Sequence, residues 1–209
     1  MTFYRVVRDV LAAICRTVFR LRVIGGENVP VTGAFIVAPT HRSLLDIPFT
    51  ACITKRRIRF LAKQELFGPP VLGWAFTKLG GIPVERGSAT ARGALKALQA
   101  ALAQGEPAAV FPEGTREHGR DVAELFDGAA YLSVKLGLPI LPVGIAGSEE
   151  ILASGKVLPN FHRVVVVVGT LIEPPPSATT RKRSDLAAMT ADLRKALQSA
   201  FDEAHAALR

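Results

Sequence analysis

Cysteine and aromatic residues are both scarce in this chain. Its 209 residues include only two cysteines, Cys15 and Cys52, which are too few for a disulfide scaffold and lack the spacing of a metal site. We expect both to be reduced thiols in a cytosolic setting. Aromatic residues make up 7% of the chain, and its cations are not interleaved with stacking residues as single-strand binding favours. A basic nucleic-acid-binding module is therefore the weakest of the functions considered below.

Long apolar runs are also missing. A membrane-spanning helix needs about 20 mostly apolar residues, but the longest uncharged run near the N-terminus, Val10 to Cys15, lies between Asp9 and Arg16. The N-terminus lacks the small-residue cleavage site of a signal peptide. We predict that the protein has no transmembrane helix.

Positive charge is plentiful and unevenly distributed. Residues 1–100 carry 15 Lys/Arg and 5 Asp/Glu, whereas residues 101–209 carry 11 and 13. A basic first half predicts an anionic partner, and nucleic acid, acidic lipid and a phosphorylated substrate all fit. The hydrophobic fraction of 49% and the length suit one domain with a single sizeable core.

Residues 1–22 have the periodicity of an amphipathic helix. At about 100° per residue, apolar side chains fall on one arc and charged ones on the opposite arc. The apolar arc holds Phe3, Val7, Val10, Leu11, Ile14 and Val18, and the charged arc holds Arg5, Arg8, Asp9, Arg16 and Arg20. Such a helix suits an anionic membrane surface, although packing on the protein's own core would give the same periodicity. We therefore separate an N-terminal helix, 1–22, from a domain of residues 23–209.

Extended and helical patterns alternate through residues 23–209. The predicted strands are Ala34–Pro39, Ile58–Leu61, Ala108–Pro112, Pro139–Ile145 and Arg163–Leu171. The predicted helices are Leu44–Ile53, Ala89–Gln104, Gly128–Leu136 and Ser184–Leu208. This alternation predicts an α/β fold with a mostly parallel, mixed sheet flanked by helices.

The segment APTHRSLLDIP, residues 38–48, places His41 and Asp46 five positions apart after a predicted strand. Five residues of helix would put the two side chains about 140° apart. If His41 instead stays in the loop before a helix, Asp46 can reach back and fix the imidazole tautomer, which leaves the other ring nitrogen as a base. The alternative is that both residues merely cap the start of the helix.

The segment AAVFPEGTRE, residues 108–117, follows another predicted strand. Its polar residues emerge at the carboxyl edge of the sheet, where open α/β sheets place their ligands. Gly114 would let a ligand approach the backbone, Arg116 could fork onto a phosphate, and Glu113 could accept a hydrogen bond from a substrate hydroxyl. An ordinary glycine turn with solvated charges is the alternative.

A third segment, GGIPVERG at residues 80–87, ends in Arg86 and Gly87. Upstream of it, the segment RRIRFLAKQELFGPPVLGWAF, residues 56–76, contains four cations together with Phe67, Leu72, Trp74 and Phe76. A cationic rim around exposed aromatic residues suits an amphiphile with an anionic head, although packing in the core would also account for these side chains.

Taken together, these segments resemble the glycerolipid acyltransferases, the family of bacterial 1-acyl-glycerol-3-phosphate (lysophosphatidic acid) acyltransferase. The likeness covers residues 20–175 in four ordered blocks: the His41–Asp46 motif, GGIPVERG, FPEGTR without a change at residues 111–116, and the apolar strand LPILPVGI. The resemblance implies a single acyltransferase domain and acyl transfer from acyl-CoA or acyl carrier protein to 1-acyl-sn-glycerol 3-phosphate at an anionic membrane surface. It implies no metal, no cofactor and no nucleic acid. A peripheral location on the cytoplasmic face of the cell membrane is expected.

The resemblance also implies roles for individual residues. His41 is expected to be the general base and Asp46 its orienting acid. Arg86 and Arg116 are expected to hold the acceptor phosphate, with help from Lys63. Glu113 is expected to orient acceptor hydroxyls, and Gly114 and Thr115 to complete the substrate-binding set. No covalent acyl-enzyme is expected, because the chain has no Gly-x-Ser-x-Gly elbow.

One residue departs from the family pattern. Family members often carry a basic residue before the Gly-Ala that opens the helix after FPEGTR, whereas this chain has Asp127. A carboxylate there would repel a nearby phosphate. The alternative acceptors are therefore glycerol 3-phosphate, a glycolipid sugar or another lysolipid.

Overall fold

The computed structural model describes residues 2–84, 88–151, 160–176 and 183–209. Its helices are α1 (Thr2–Val18), α2 (Asp46–Ala51), α3 (Pro70–Leu79), α4 (Ser88–Ala103), α5 (Gly128–Leu136), α6 (Ser148–Ile151) and α7 (Arg183–Leu208). Its strands are β1 (Arg22–Ile24), β2 (Ile36–Pro39), β3 (Phe60–Lys63), β4 (Gly81–Val84), β5 (Ala108–Ala109), β6 (Ile140–Ala146) and β7 (Val165–Val168). Arg86, a predicted phosphate ligand, lies outside the described residues.

The strands form a five-stranded sheet in the order β1-β7-β6-β2-β5 and a two-stranded sheet of β3 and β4. Only β6 and β7 pair antiparallel among the described strands. A parallel bridge between Arg59 and Ala108 joins the smaller sheet to β5. This architecture confirms the predicted α/β fold with a mostly parallel, mixed sheet flanked by helices.

The centre of the sheet is buried on both faces. All of β6 and β7 is buried, as expected for strands covered on both sides and rich in branched apolar residues. Helix α7 packs across β6, and Gly144 makes this possible, because a Cβ there would lie 2.4 Å from the backbone of Ala200. On the other face, Ala12 and Cys15 of α1 join Phe35 and Phe49 in one apolar cluster.

Helix α1 does not divide into two faces as its periodicity predicts. Arg8, expected on the charged arc, is 8% exposed, so that part of the prediction is wrong. The apolar arc is split: Val7 and Leu11 are half-buried, whereas Val10 is exposed. The exposed apolar residues of α1 are Phe3, Val6, Val10, Ile14 and Val18. One side of α1 therefore packs on the protein while an apolar stripe stays exposed.

Element boundaries show where the sequence pattern is informative. Helix α5 matches its predicted range, and α4 lies one residue from its predicted range at each end. Strand β5 contains two residues instead of the predicted five, because the chain turns away from β2 into the Phe-Pro-Glu-Gly segment. Helix α3 was not predicted, since it begins with the Pro69–Pro70 pair and contains Gly73, residues that are usual in loops.

Candidate active site

The first and third sequence blocks meet at the carboxyl edge of the sheet. Strands β2 and β5 are parallel neighbours, with Ile36 opposite Ala108. The residues that follow them, His41 and Glu113, therefore leave the sheet at the same edge. The backbone N–H of His41 donates to Glu113 Oε2 at 2.8 Å, and the carbonyl of His41 accepts from the N–H of Glu117, also at 2.8 Å.

Asp46 holds both the His41 ring and the loop that carries it. His41 Nδ1 lies 3.1 Å from Asp46 Oδ2, and the same oxygen accepts the backbone N–H groups of Arg42 and Ser43, each at 2.6 Å. Because α2 begins at Asp46, His41 stays in the preceding loop. The structure thus brings together the two residues of the predicted pair, and Asp46 also holds the backbone of the loop that carries His41.

The second nitrogen of the His41 ring is available for chemistry. Within the described part of the chain, Nε2 has no hydrogen-bond partner, and the side chain is 16% exposed. The ring packs on Phe111, with 4.2 Å between centroids. A Nδ1–H held by a carboxylate leaves Nε2 as the proton acceptor, so this geometry suits a general base.

Glu113 has a different environment from the one expected. Its side chain has no solvent exposure. Arg42 Nη1 donates to both of its oxygens, at 2.8 and 2.9 Å, and the N–H of Ala123 donates to Oε1 at 3.2 Å. The carboxylate is thereby committed to the protein, so the expectation that it contacts a substrate hydroxyl is not supported by this geometry.

Arg42 is the residue that sequence reasoning missed. Its Nε donates to the carbonyl of Gly119 at 3.3 Å and its Nη2 to that of Asp121 at 3.0 Å. The guanidinium also lies over the ring of Phe201, 4.8 Å from the centroid. The sequence did contain a signal for this pair. Arg42 and Glu113 carry opposite charges, and each follows a strand that ends at the same edge of the sheet. Arg42 and Glu113 together fix the positions of the two loops.

The turn after Glu113 leaves three of the predicted acceptor-site residues exposed: Gly114, Thr115 and Arg116. Gly114 has a φ of +72°, and a Cβ there would lie 2.7 Å from the Phe126 ring, so glycine is required for both reasons. Thr115 Oγ1 donates to Glu117 Oε1 at 2.7 Å. Arg116 is exposed and has no ion-pair or hydrogen-bond partner among the described residues. Its guanidinium is available to an anion.

Lys63 is a second available cation. It ends β3 in register with Val84, which ends β4 two residues before Arg86 in the chain. The Lys63 side chain is exposed and forms no ion pair with a described residue.

An apolar cavity of about 340 Å³ extends to Phe111, the residue that packs on His41. Phe111, whose ring contacts the imidazole, lines it together with Leu44 and Ile47. The cavity continues to Phe76 of α3 and to Val7 of α1. Its volume and walls suit a hydrocarbon chain rather than a polar ligand.

Asp127 makes a structural contact. Its Oδ1 accepts a hydrogen bond of 2.7 Å from the hydroxyl of Thr190, which joins the start of α5 to α7. The geometry therefore offers no support for a special role of this carboxylate in choosing an acceptor.

The fold and this site define an α/β protein with a His–Asp pair at the carboxyl edge of its sheet, next to an apolar cavity. The acyltransferase family model matches residues 20–146. The chain belongs to the acyltransferase family.

Named relatives of this chain are acyltransferases, and the solved structure of one acyltransferase has a similar fold. The chain is 29% identical to the 1-acyl-sn-glycerol-3-phosphate acyltransferase of Bacillus subtilis over 190 residues, which cover 88% of this chain and 90% of that protein. It is 33% identical to the Helicobacter pylori protein of the same name, over 67% of this chain and 61% of that one. The crystal structure of the 1-acyl-sn-glycerophosphate (LPA) acyltransferase PlsC from Thermotoga maritima superimposes with a TM-score of 0.76 and 25% identity, over 96% of this chain and 80% of that chain.

Coverage differs among the relatives. The match spans 42% of the length of the Chlamydomonas reinhardtii 1-acyl-sn-glycerol-3-phosphate acyltransferase, although it is 32% identical over 142 residues.

Proposed function

We propose that this protein transfers an acyl group from a thioester, either acyl-CoA or acyl carrier protein, to the free hydroxyl of 1-acyl-sn-glycerol 3-phosphate, which yields phosphatidic acid. The observation that carries the proposal is the His41 Nδ1–Asp46 Oδ2 contact of 3.1 Å, with Nε2 left without a described partner. Membership of the acyltransferase family supports the same chemistry.

His41 and Asp46 act as a general base and its orienting acid. Nε2 takes the proton of the acceptor hydroxyl while the oxygen attacks the thioester carbonyl carbon. When the C–S bond breaks, the imidazolium returns this proton to the departing thiolate. Asp46 stabilises the imidazolium and keeps the ring in the productive tautomer.

Three cations hold the acceptor phosphate. Arg116 is exposed and unpaired among the described residues, and a guanidinium binds phosphate oxygens in a bidentate manner. Lys63 and Arg86 complete this binding set, with Gly114 and Thr115 shaping the turn on which Arg116 is presented. The apolar cavity beside Phe111 takes the hydrocarbon chain of a substrate.

The enzyme works at an anionic membrane surface, as a peripheral protein on the cytoplasmic face. The exposed apolar stripe of α1 supports this placement, and Phe3 extends it to Trp74 of α3 through a ring contact of 4.6 Å. Exposed arginines flank the stripe at Arg5 and Arg16, and cations of this kind favour anionic lipid. No helix in the described part of the chain has both the length and the apolar character needed to cross a bilayer.

An acceptor panel tests the proposal. Purified protein is incubated with radiolabelled palmitoyl-CoA and, in parallel, with 1-acyl-sn-glycerol 3-phosphate, glycerol 3-phosphate, a lysolipid without a terminal phosphate and a glycolipid. We expect labelled phosphatidic acid as the main product and no product from His41→Ala. Faster labelling of any other acceptor would replace the proposed substrate, and no labelling of any acceptor would remove the proposed activity.

A further inference from the structure

Arg8 is a buried cation that the proposed chemistry does not use. It lies on α1 with 8% exposure, although its neighbours along the helix include exposed residues on both sides. Its Nη2 pairs with the carboxylate of Asp9, whose side chain is largely in solvent. Its Nε is buried and has no hydrogen-bond partner among the described residues. Nη1 likewise has no hydrogen-bond partner among the described residues, so the guanidinium has donors that no protein acceptor uses, and unmet donors are costly for a largely desolvated charged group.

Arg8 is part of the wall between two cavities of opposite character. The apolar cavity that extends to Phe111 also reaches Tyr4 and Arg8 on α1. Both residues also line a second cavity of about 580 Å³. Phe111 and Arg8 thus line the same apolar cavity, so a hydrocarbon chain that fills this cavity can contact both residues.

The second cavity carries an excess of positive charge. Arg5 and Lys55 line it without an ion-pair or hydrogen-bond partner in the described structure. Arg57 is paired with Glu106, and Arg56 donates to backbone carbonyls. The carboxylates that line this cavity are Asp9 and Glu106. Five cations thus line the cavity against two carboxylates, one paired with Arg8 and the other with Arg57, so the potential in this cavity favours an added anion.

We propose that Arg8 is a binding site for a carboxylate at the end of a hydrocarbon chain, with the chain in the apolar cavity. A carboxylate matches a guanidinium in geometry and charge and can accept a hydrogen bond from Nη1, whereas a terminal methyl group can accept none. Two ligands present this chemistry: a free fatty acid with its tail toward His41, and an acyl thioester that carries a carboxylate at its far end. The second of these rests on the proposed function.

Direct binding tests the site without any turnover. Equilibrium dialysis of the full chain at pH 8 compares dodecanoate with its neutral methyl ester, which has the same chain. We expect the acid to bind at least tenfold more tightly than the ester to the native protein and to Arg8→Lys. Arg8→Met should abolish the difference. Arg16→Met, an exposed arginine on the same helix that lines neither cavity, should retain it.

Equal affinities of acid and ester for the native protein would overturn the proposal, and this comparison needs no variant to fold. Retention of the tenfold preference in a folded Arg8→Met protein would overturn it as well.

Turnover then distinguishes the two ligands, a fatty acid with its tail toward His41 and an acyl thioester with a carboxylate at its far end. The rate with 11-carboxyundecanoyl-CoA is compared with that of dodecanoyl-CoA, using 1-acyl-sn-glycerol 3-phosphate as acceptor. A tenfold higher kcat/KM for the carboxylated donor, lost in Arg8→Met, supports the thioester orientation. Competitive inhibition of dodecanoyl-CoA by dodecanoate, without that preference, supports the fatty acid orientation. Absence of transfer from either donor would count against the proposed function, while the dialysis result would still decide the carboxylate site.

Discussion

At the scale of single residues, the contacts of Asp46 decide between two interpretations of its spacing from His41. The two interpretations were a catalytic pair and a capped helix start. One oxygen, Oδ2, binds His41 Nδ1 and also the N–H groups of Arg42 and Ser43. The backbone contacts fix the carboxylate, and the fixed carboxylate in turn fixes the imidazole. Both N–H groups precede α2, whose start has no side-chain cap, so Asp46 holds the loop and orients His41 but does not cap the helix.

The buried Arg42–Glu113 pair is expected to position His41 rather than to bind substrate. Glu113→Gln keeps an acceptor for the His41 N–H but removes the charge that faces Arg42. We predict a lower kcat with a KM for 1-acyl-sn-glycerol 3-phosphate within about twofold of the native value. Steady-state kinetics with varied acceptor measures both. A large rise in KM with kcat unchanged would instead mean that Glu113 contacts the acceptor.

Stability provides a second measurement on the same pair. Removing one partner of a buried ion pair leaves an uncompensated charge and typically costs about 3–5 kcal/mol. Arg42→Met should therefore lower the free energy of unfolding by this order, and Arg42→Met/Glu113→Gln should lose less than the sum of the two single variants. Urea denaturation of the four proteins completes the cycle. Additive losses would show that the two side chains are not coupled.

At the scale of elements, α1 has a packed side and an exposed apolar stripe. Val10, 55% exposed, lies in the middle of this stripe. Val10→Asp should weaken binding to vesicles of anionic phospholipid by at least about tenfold, since a charge replaces apolar surface at the interface. Co-sedimentation with the vesicles measures the bound fraction.

Val31→Asp is the matched control for the α1 stripe. Val31 is 88% exposed and lies in the loop between β1 and β2. This variant makes the same chemical change away from α1 and should bind vesicles like the native protein. Equal losses in both variants would show that net charge, and not the stripe, governs membrane binding.

Helix α7 contains a histidine that should make stability depend on pH. His205 packs edge-on against Phe201, with 4.5 Å between ring centroids, and its Nε2 is buried without a described partner. Burial, and secondarily the charge of Arg120, lower the pKa of His205 below its ordinary value. The unfolded chain therefore binds a proton here more readily than the native protein does, so stability falls as the pH drops below about 6.5.

His205→Asn should reduce this acid sensitivity. The loss of unfolding free energy between pH 7 and pH 5 is expected to be smaller in the variant than in the native protein. Urea denaturation at a series of pH values measures both slopes. Identical slopes would exclude His205 as a contributor.

At the scale of the whole molecule, the sequence predicted a sheet flanked by helices and a site at the carboxyl edge of that sheet. It did not predict the partners of the buried charged side chains. Periodicity located α4, α5 and the buried run in β7, because those patterns depend on local spacing. It failed at Arg8, since a helical wheel shows which residues share a face but not which neighbouring element covers that face. It also failed at Glu113, whose partner Arg42 is 71 residues away along the chain.

The sheet explains why distant motifs could still be placed together. Parallel neighbours bring their carboxyl ends to one edge, so His41 and Glu113 were expected to be close before any contact was known. The apolar cavity could not be foreseen in this way. Its walls come from α1, α2, α3, β3 and the residues after β5, and their packing depends on tertiary structure.

Release of thiol from palmitoyl-CoA in the presence of 1-acyl-sn-glycerol 3-phosphate is the most direct measurement of the central claim, that His41 is the base. General-base assistance typically contributes ~10²–10⁴-fold to a rate. We predict that His41→Ala lowers kcat by at least about 100-fold, with unchanged vesicle binding and an unchanged unfolding transition. A folded His41→Ala protein whose turnover stays within tenfold of the native enzyme would contradict the account.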